Sequence, residues 1–442
     1  MRRLVPWLLL SWVCLAVGLP AAPTLGRQQV PAAASASESD ETGAQAGEEC
    51  TIGVACGRAT ADGRPLMWKN RDAQKRDNVV TAFDDGKVPY LGLCDAGSKS
   101  TVWGGANAAG FCILNSVSRD LPQGSTKGPG NGSFMKLALQ RCTVVADFER
   151  LLEDTNDNGR RTRANFAVID AQGGAAIFET SHKTFRRFDA KDAADGLVLR
   201  TNFAMTGKGD RGRDRLARAQ SICKTRPKGT LLDPAFVLDR ICRDLEAPAS
   251  AEHGADGQLD VRETIHRQTT VAAMVFHGCK ENEDPRFTTM WAVLGQPLFS
   301  IAVPCWPGAG SPAPAIAGTP RSALCDAAIQ LQDAFDVHPA PKPDPADAAS
   351  GTDGTNGSAT EAEVAGSNRW LLLTDLPGVR KQLQPVEQTI FAATKEQLAQ
   401  WRAAKEAPSS DAVREFHTRQ ASAAAKAVQA AAEQRTPAEI GR

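Results

Sequence analysis

The chain changes character at one bond. From Arg27 to Glu49 it is built of Ala, Ser, Glu and Gln with almost nothing to bury, and such a stretch cannot offset its own ordering entropy. At Glu48-Glu49-Cys50 a hydrophobic pattern begins. Cys50-Thr51-Ile52-Gly53-Val54-Ala55-Cys56 reads as a buried strand, Thr60-Ala61-Asp62-Gly63-Arg64 as a turn built on Asp-Gly, and Leu66-Met67-Trp68-Lys69-Asn70 as the returning strand. In an antiparallel pair the start of one strand lies beside the end of the next. A thiol is thereby brought next to the polar cluster Lys69-Asn70-Arg71-Asp72.

Upstream, Met1-Arg2-Arg3 is basic, Leu4 to Leu19 is apolar, and Pro20-Ala21-Ala22 with Leu25-Gly26 supplies small residues suited to signal-peptidase cleavage. The expectation is a signal peptide over 1–26 and a flexible propeptide over 27–49, with the product secreted or periplasmic. A retained anchor is disfavoured, because the run falls short of the roughly 20 residues a spanning helix needs and contains Pro6. No later segment is apolar enough to cross a bilayer, so no membrane contact is expected after signal removal. Lys+Arg and Asp+Glu number 51 each, a net charge of zero that offers no global field for nucleic acid. The expected partner is a small molecule.

The chemistry at Cys50 depends on the bond before it. If Glu49-Cys50 is cut, Cys50 gains an α-amino group whose ordinary pKa, about 7.7–8.0, suits a general base near neutral pH. One residue then holds both nucleophile and base. Asp72 could orient the amine, and Lys69 or Arg71 would favour thiolate. The alternative is that Cys50 is a buried or disulfide-bonded cysteine beside a solvated turn.

These residues resemble a known family. Cys50 followed by a hairpin ending Lys-Asn-Arg-Asp looks like the N-terminal-nucleophile hydrolases of the choloylglycine hydrolase and penicillin V acylase type, and is closest to their relatives around acyl-coenzyme A:6-aminopenicillanic acid acyltransferase. Gly105-Ala106-Asn107-Ala108-Ala109-Gly110-Phe111 matches that family's Gly-x-Asn-x-x-Gly turn, and Cys112-Ile113-Leu114-Asn115-Ser116 the strand that follows. The resemblance covers roughly Cys50 to Trp306. It implies Cys50 as nucleophile, Asp72 as partner of its amine, Asn70 at the family's strand-end Asn, and Asn115 and Asn202 as holders of the oxyanion. Arg215 falls on the family's Arg-bearing helix. Lys69 departs from the bile-salt and penicillin branch, which has Arg there, so the choice between Lys69 and Arg71 stays open. In a regular strand Lys69 and Asp72 point to opposite faces, and only a bend at Asn70 would bring both into the site. The fold implied is α+β, a four-layer αββα sandwich.

The rest of the chain reads as support for such a core. Phe134 to Leu139 and Phe148 to Leu152 show helical spacing, Asn165 to Asp170 and Ala175 to Glu179 form a hairpin, and Leu197 to Thr201, Thr270 to Phe276, Met290 to Leu294 and Leu298 to Val303 read as strands. Asp154-Thr155-Asn156-Asp157-Asn158-Gly159 matches half of a calcium loop. Asn165 stands where a bidentate Glu is required, and Arg160, Arg161 and Arg163 would repel a cation. The six histidines, including His182, His266 and His277, are scattered with no zinc spacing, and no phosphate loop occurs. No cofactor or metal is expected.

The catalytic domain is expected over 50–306, a Pro/Gly/Ala-rich connector with one short helix over 307–369, and a helical C-terminal extension over 370–442. In the extension Leu383, Val386, Ile390 and Ala393 form an apolar stripe that would pack on the core or between subunits. Its end, Ala421 to Arg442, reads as a frayed or solvated helix. The functional expectation is an exported amidohydrolase or acyltransferase that cleaves a small amide through a Cys50 thioester after propeptide removal. The alternatives are a catalytically silent secreted scaffold with Cys50 in a disulfide, or a calcium-dependent module on Asp154 to Asn165.

Overall fold

In a computed structural model of the chain, the described residues are 48–124, 127–227, 229–249, 258–318, 321–335, 370–373 and 376–435. The expected signal peptide, nearly all of the propeptide and the stretch from His338 to Asn368 lie outside them. The expected hairpin is β1 (Glu49–Ala55) with β2 (Leu66–Asp72), in a register that sets Cys50 opposite Arg71 and Ile52 opposite Lys69. Every residue of both strands is buried, the charged ones included. Burying ionised groups is costly unless they are paired, so this hairpin marks the place where the fold has concentrated charge.

β3 (Asn78–Phe83), β4 (Tyr90–Asp95), β5 (Gly104–Asn107), β6 (Cys112–Val117), β7 (Ala164–Ile169), β8 (Ala175–Thr180) and β9 (Phe185–Asp189) follow in chain order as a seven-stranded antiparallel meander. β10 (Leu197–Arg200) then pairs with the free side of β1. β11 (Gln258–Asp260) pairs outside this sheet, with β15 (Trp370–Leu372). β12 (Thr270–His277), β13 (Thr289–Leu294) and β14 (Val303–Cys305) extend the first hairpin from β2, giving a six-stranded sheet ordered β10-β1-β2-β12-β13-β14. β1 and β2 touch β6 and β7, so the two sheets meet face to face. Alternate residues of the central hairpin therefore point into that interface or away from it.

Helices α1 (Asn131–Arg141) and α2 (Val145–Asn156) bring Phe134 and Phe148 onto Phe166 and Phe178 of the seven-stranded sheet. Helix α3 (Arg213–Thr225) lies beside β10. On the six-stranded sheet pack α4 (Ala323–Asp333), α5 (Leu376–Ala403) and α6 (Ser410–Glu433), with Phe391 of α5 against Trp291 of β13 at 4.1 Å between ring centroids. Leu383 and Ile390 of the apolar stripe are buried in the chain's own core.

Two expectations fail here. Leu298 to Val303 is not a strand: Pro297–Phe299 is a 3-10 turn, closed by the Ser300 hydroxyl donating to the Leu294 carbonyl at 2.7 Å, and pairing resumes only at Val303. Pro297 fixes φ and has no N–H for a ladder. As far as Arg435 the C-terminal end is not solvated either. Ala421, Ala424, Val428 and Ala431 are fully buried, because small side chains let α6 approach α4 closely.

His417 pins α6 to the sheet. Its Nδ1 donates to the Pro304 carbonyl at 2.6 Å while its Nε2 accepts from the Ala313 N–H at 2.7 Å, which requires the neutral ring. Burial lowers its pKa from 6.5 to about 4, against the pull of the Pro304 carbonyl. A depressed histidine pKa contributes stability that is complete above 6.5 and is lost as pH falls towards 4. His417→Gln should lower the melting temperature at pH 7 and make its decline between pH 6.5 and 4 shallower, as read by thermal melts across that range.

Candidate active site

Strand alternation sorts the expected site residues into two groups. Lys69 and Arg71 point towards the seven-stranded sheet: the Lys69 ammonium donates to the Asn115 side-chain carbonyl at 2.8 Å and to the Trp103 backbone carbonyl at 3.1 Å. Arg71 donates to Asn78 Oδ1 at 2.6 Å, pairs with Asp95 at 3.0 Å and Glu48 at 3.5 Å, and lies 4.6 Å from the Trp103 ring centroid. Asn70 and Asp72 point the other way. Asn70 donates to the carbonyls of Cys242 and Ile265, and Asp72 accepts from the Thr270 hydroxyl at 2.7 Å and lies 3.9 Å from Arg215. Lys69 and Asp72 are therefore on opposite faces, with no bend at Asn70.

Cys50 is fully buried and its thiol is free, as are all ten cysteines among the described residues. The disulfide alternative thus finds no partner there. Burial pushes the thiol up to about 11; Lys69 pulls it down, Glu48 and Asp72 push it up, and the Asp72 backbone N–H stabilises the sulfur. The charge of Lys69 lowers the thiol's pKa, while Arg71 is paired with Asp95 and Glu48 and bonded to Asn78. With Glu48 and Glu49 in place the group is protonated and closed off from solvent.

Around the Glu49-Cys50 bond the contacts are dense. The Cys50 N–H donates to Asn202 Oδ1 at 2.9 Å, and the Cys50 carbonyl accepts from Arg215 at 3.0 Å. Arg215 also donates to Thr51 Oγ1, to Asn202 Oδ1 and to the Glu49 carboxylate, spanning both sides of the bond. Gly212 allows this. It sits at φ 80, at the start of α3, and a Cβ there would fall 2.5 Å from the Arg215 guanidinium.

The two asparagines differ. Asn115 has its carbonyl taken by Lys69, which leaves a buried NH2 with no partner among the described residues. A donor held in one orientation and left unused is what a developing oxyanion requires. Asn202 offers Cys50 an acceptor instead, because its NH2 donates to the Val117 carbonyl at 3.0 Å. Burial raises Asp72 to about 6, against the pull of Arg267, Arg215 and the Thr270 hydroxyl, and Glu49 adds to the rise.

Residues without a motif complete the site. Arg267 and Arg211 join Arg215 on the Glu49 carboxylate. Only the strand order could have announced Arg267: β12 starts beside the end of β2. Asn107 of the Gly-x-Asn-x-x-Gly turn is structural. Its side chain accepts from the N–H groups of Ala109 and Phe111 and donates to the carbonyls of Leu139 and Cys142, tying the β5-β6 turn to α1.

The half calcium loop is dismantled by its surroundings. Asp154 to Asn156 close α2, buried Arg160 fills the loop by donating to the Leu152 carbonyl and Thr155 Oγ1, and Asn165 sits in β7 donating to Ser116, Thr201 and Phe203. His266 is buried against Gln296, and burial lowers its pKa to about 4. A cavity of about 890 Å³ lies along β10 and α3, lined by Leu199, Met205 and Leu216 among others, and Cys50 is not on its wall.

No protein-family model matches the sequence, and no curated protein does. Among solved structures the chain is similar to penicillin V acylase from Agrobacterium tumefaciens at 16% identity, over 55% of this chain and 83% of that one, with a TM-score of 0.38. It is similar to the Caenorhabditis elegans ortholog of N-acylethanolamine-hydrolyzing acid amidase at 14% identity, over 53% and 93%, TM-score 0.37. It is also similar to a variant of conjugated bile acid hydrolase from Clostridium perfringens at 12% identity, over 55% and 89%, TM-score 0.34.

Proposed function

We propose that this chain is the precursor of a cysteine amidohydrolase, activated when the Glu49-Cys50 bond is cut. One observation carries the reading: Asn202 and Arg215 grip the Cys50 N–H and carbonyl on one side of that bond and Arg215 grips the Glu49 carboxylate on the other, while Lys69, whose charge acts on the thiol, holds an Asn115 amide with an unused donor. The cut converts the Cys50 N–H into an α-amine beside Asn202 Oδ1. Loss of Glu48 removes one of the charges that hold the thiol protonated, and loss of both residues opens the space they fill.

In the mature site the α-amine takes the thiol proton and Sγ attacks the amide carbon. The oxyanion forms against Asn115 Nδ2, with the Lys69 charge behind the amide. Collapse breaks the C–N bond, the leaving nitrogen takes the proton from the α-ammonium, and a thioester remains. Water, activated by the same amine, releases the acid and restores the thiol. Asp72 lies on the opposite face, where it balances Arg215 and Arg267.

Two facing sheets with helices packed on them support reading the fold as an αββα sandwich extended by α4, α5 and α6, and the basic and apolar start of the sequence supports export. An acceptor amine could replace water, making the product an acyl transfer, but water is abundant outside the cytoplasm and acyl-coenzyme A is not. The test is release of 4-nitroaniline from simple acyl anilides. The reading expects turnover that ends when one equivalent of iodoacetamide modifies Cys50, and it fails if release continues after that modification.

A further inference from the structure

The residue before the cut already fills the acyl site. When Cys50 Sγ attacks the Glu49 carbonyl, a C–S bond forms, the C–N bond breaks and the proton moves to the nitrogen that becomes the α-amine. Water then forms C–O, breaks C–S and returns a proton to sulfur. The acyl group on Cys50 in that step is Glu49 itself, and the thioester is the species a substrate must form later. The Glu49 side chain thus marks where the rest of an acyl group lies.

That side chain ends in an anion site. Its carboxylate accepts from Arg215 at 2.9 Å and from Arg211 Nε at 2.7 Å, and pairs with Arg267. Arg215 is fully buried and the Arg267 side chain is 14% exposed, so two of these three cations are largely removed from water. Once Glu49 leaves, the carboxylate that remains within 4.0 Å of Arg215 and Arg267 among the described residues is Asp72, at 3.9 Å and 4.0 Å, with Glu263 acting on Arg215 from farther off. A buried guanidinium stripped of its partner is strongly destabilising. An acyl group that returns a carboxylate to the same place repairs that loss, and a neutral one does not.

In Glu49 three carbons separate the scissile carbonyl from the carboxylate carbon. We infer that the mature enzyme selects amides of 1,5-dicarboxylic acids, glutaryl-type acyl groups whose free carboxylate is held by Arg211, Arg215 and Arg267. This rests on the Cys50 hydrolase reading.

The test compares glutaryl- and valeryl-4-nitroanilide with processed protein, the two substrates differing in charge at similar length. Truncating one member of a buried charge pair costs about 30-fold or more in binding, so kcat/KM for the glutaryl anilide should exceed that for the valeryl anilide by about that factor. Arg267→Met should shrink the difference by lowering the glutaryl rate far more than the valeryl rate. Glutarate should compete with substrate where valerate does not, a comparison that needs no variant. Cys50-dependent hydrolysis of the valeryl anilide at an equal or higher rate, with no inhibition by glutarate, overturns the inference and leaves the hydrolase reading standing. Hydrolysis of neither anilide by protein that begins at Cys50 overturns both.

Discussion

Cys50→Ala yields a chain that stays joined at Glu49-Cys50 and hydrolyses no amide above background. The thiol is asked to act twice in this account, first on the Glu49 carbonyl and then on substrate, so one substitution removes both events. Loss of a nucleophile from a concerted set costs on the order of 10⁴–10⁶ in kcat. Folding should survive, because Cys50 makes no disulfide and alanine keeps the backbone bonds to Asn202 and Arg215. Intact mass and anilide turnover, measured on one preparation, read both effects. Full activity in Cys50→Ala would refute the assignment.

The second large effect belongs to Asn115. Asn115→Ala should lower kcat by about 10²–10³, the range found when one oxyanion donor is removed, with KM changed far less. Processing should slow in the same variant, because the tetrahedral intermediate at Glu49 forms against the same donor. The basis is the orientation of the amide: Lys69 holds its carbonyl at 2.8 Å and leaves the NH2 buried and unbonded. Pre-steady-state turnover separates this from simple misfolding, since a distorted site would raise KM as well. An unchanged kcat would return Asn115 to the role of a strand residue.

The site was legible in the sequence where chemistry and local pattern coincide. The Cys50 hairpin, its Asp-Gly turn and the charged end of β2 follow from alternation and turn residues, and the opposed directions of Lys69 and Asp72 follow from the period of a strand. The β3-β4 hairpin carries a weaker signal, since half of β3 is only partly buried. Arg267 was hidden for a different reason: it reaches Glu49 across 218 residues of sequence, and no local spacing encodes such a contact. Asn202 shows a third limit. A motif places its side chain near Cys50, but which end of the amide faces the thiol's residue is decided by the Val117 carbonyl on another strand. The Ala-rich end of α6 looked solvated because its burial depends on close approach to α4 rather than on large side chains.

The central claim is that Cys50 works as an N-terminal residue, and N-terminal sequencing of the active protein tests it most directly. The first five cycles should read Cys-Thr-Ile-Gly-Val, in a preparation that cleaves an acyl anilide. An active preparation in which the Glu49-Cys50 bond is intact would contradict the account.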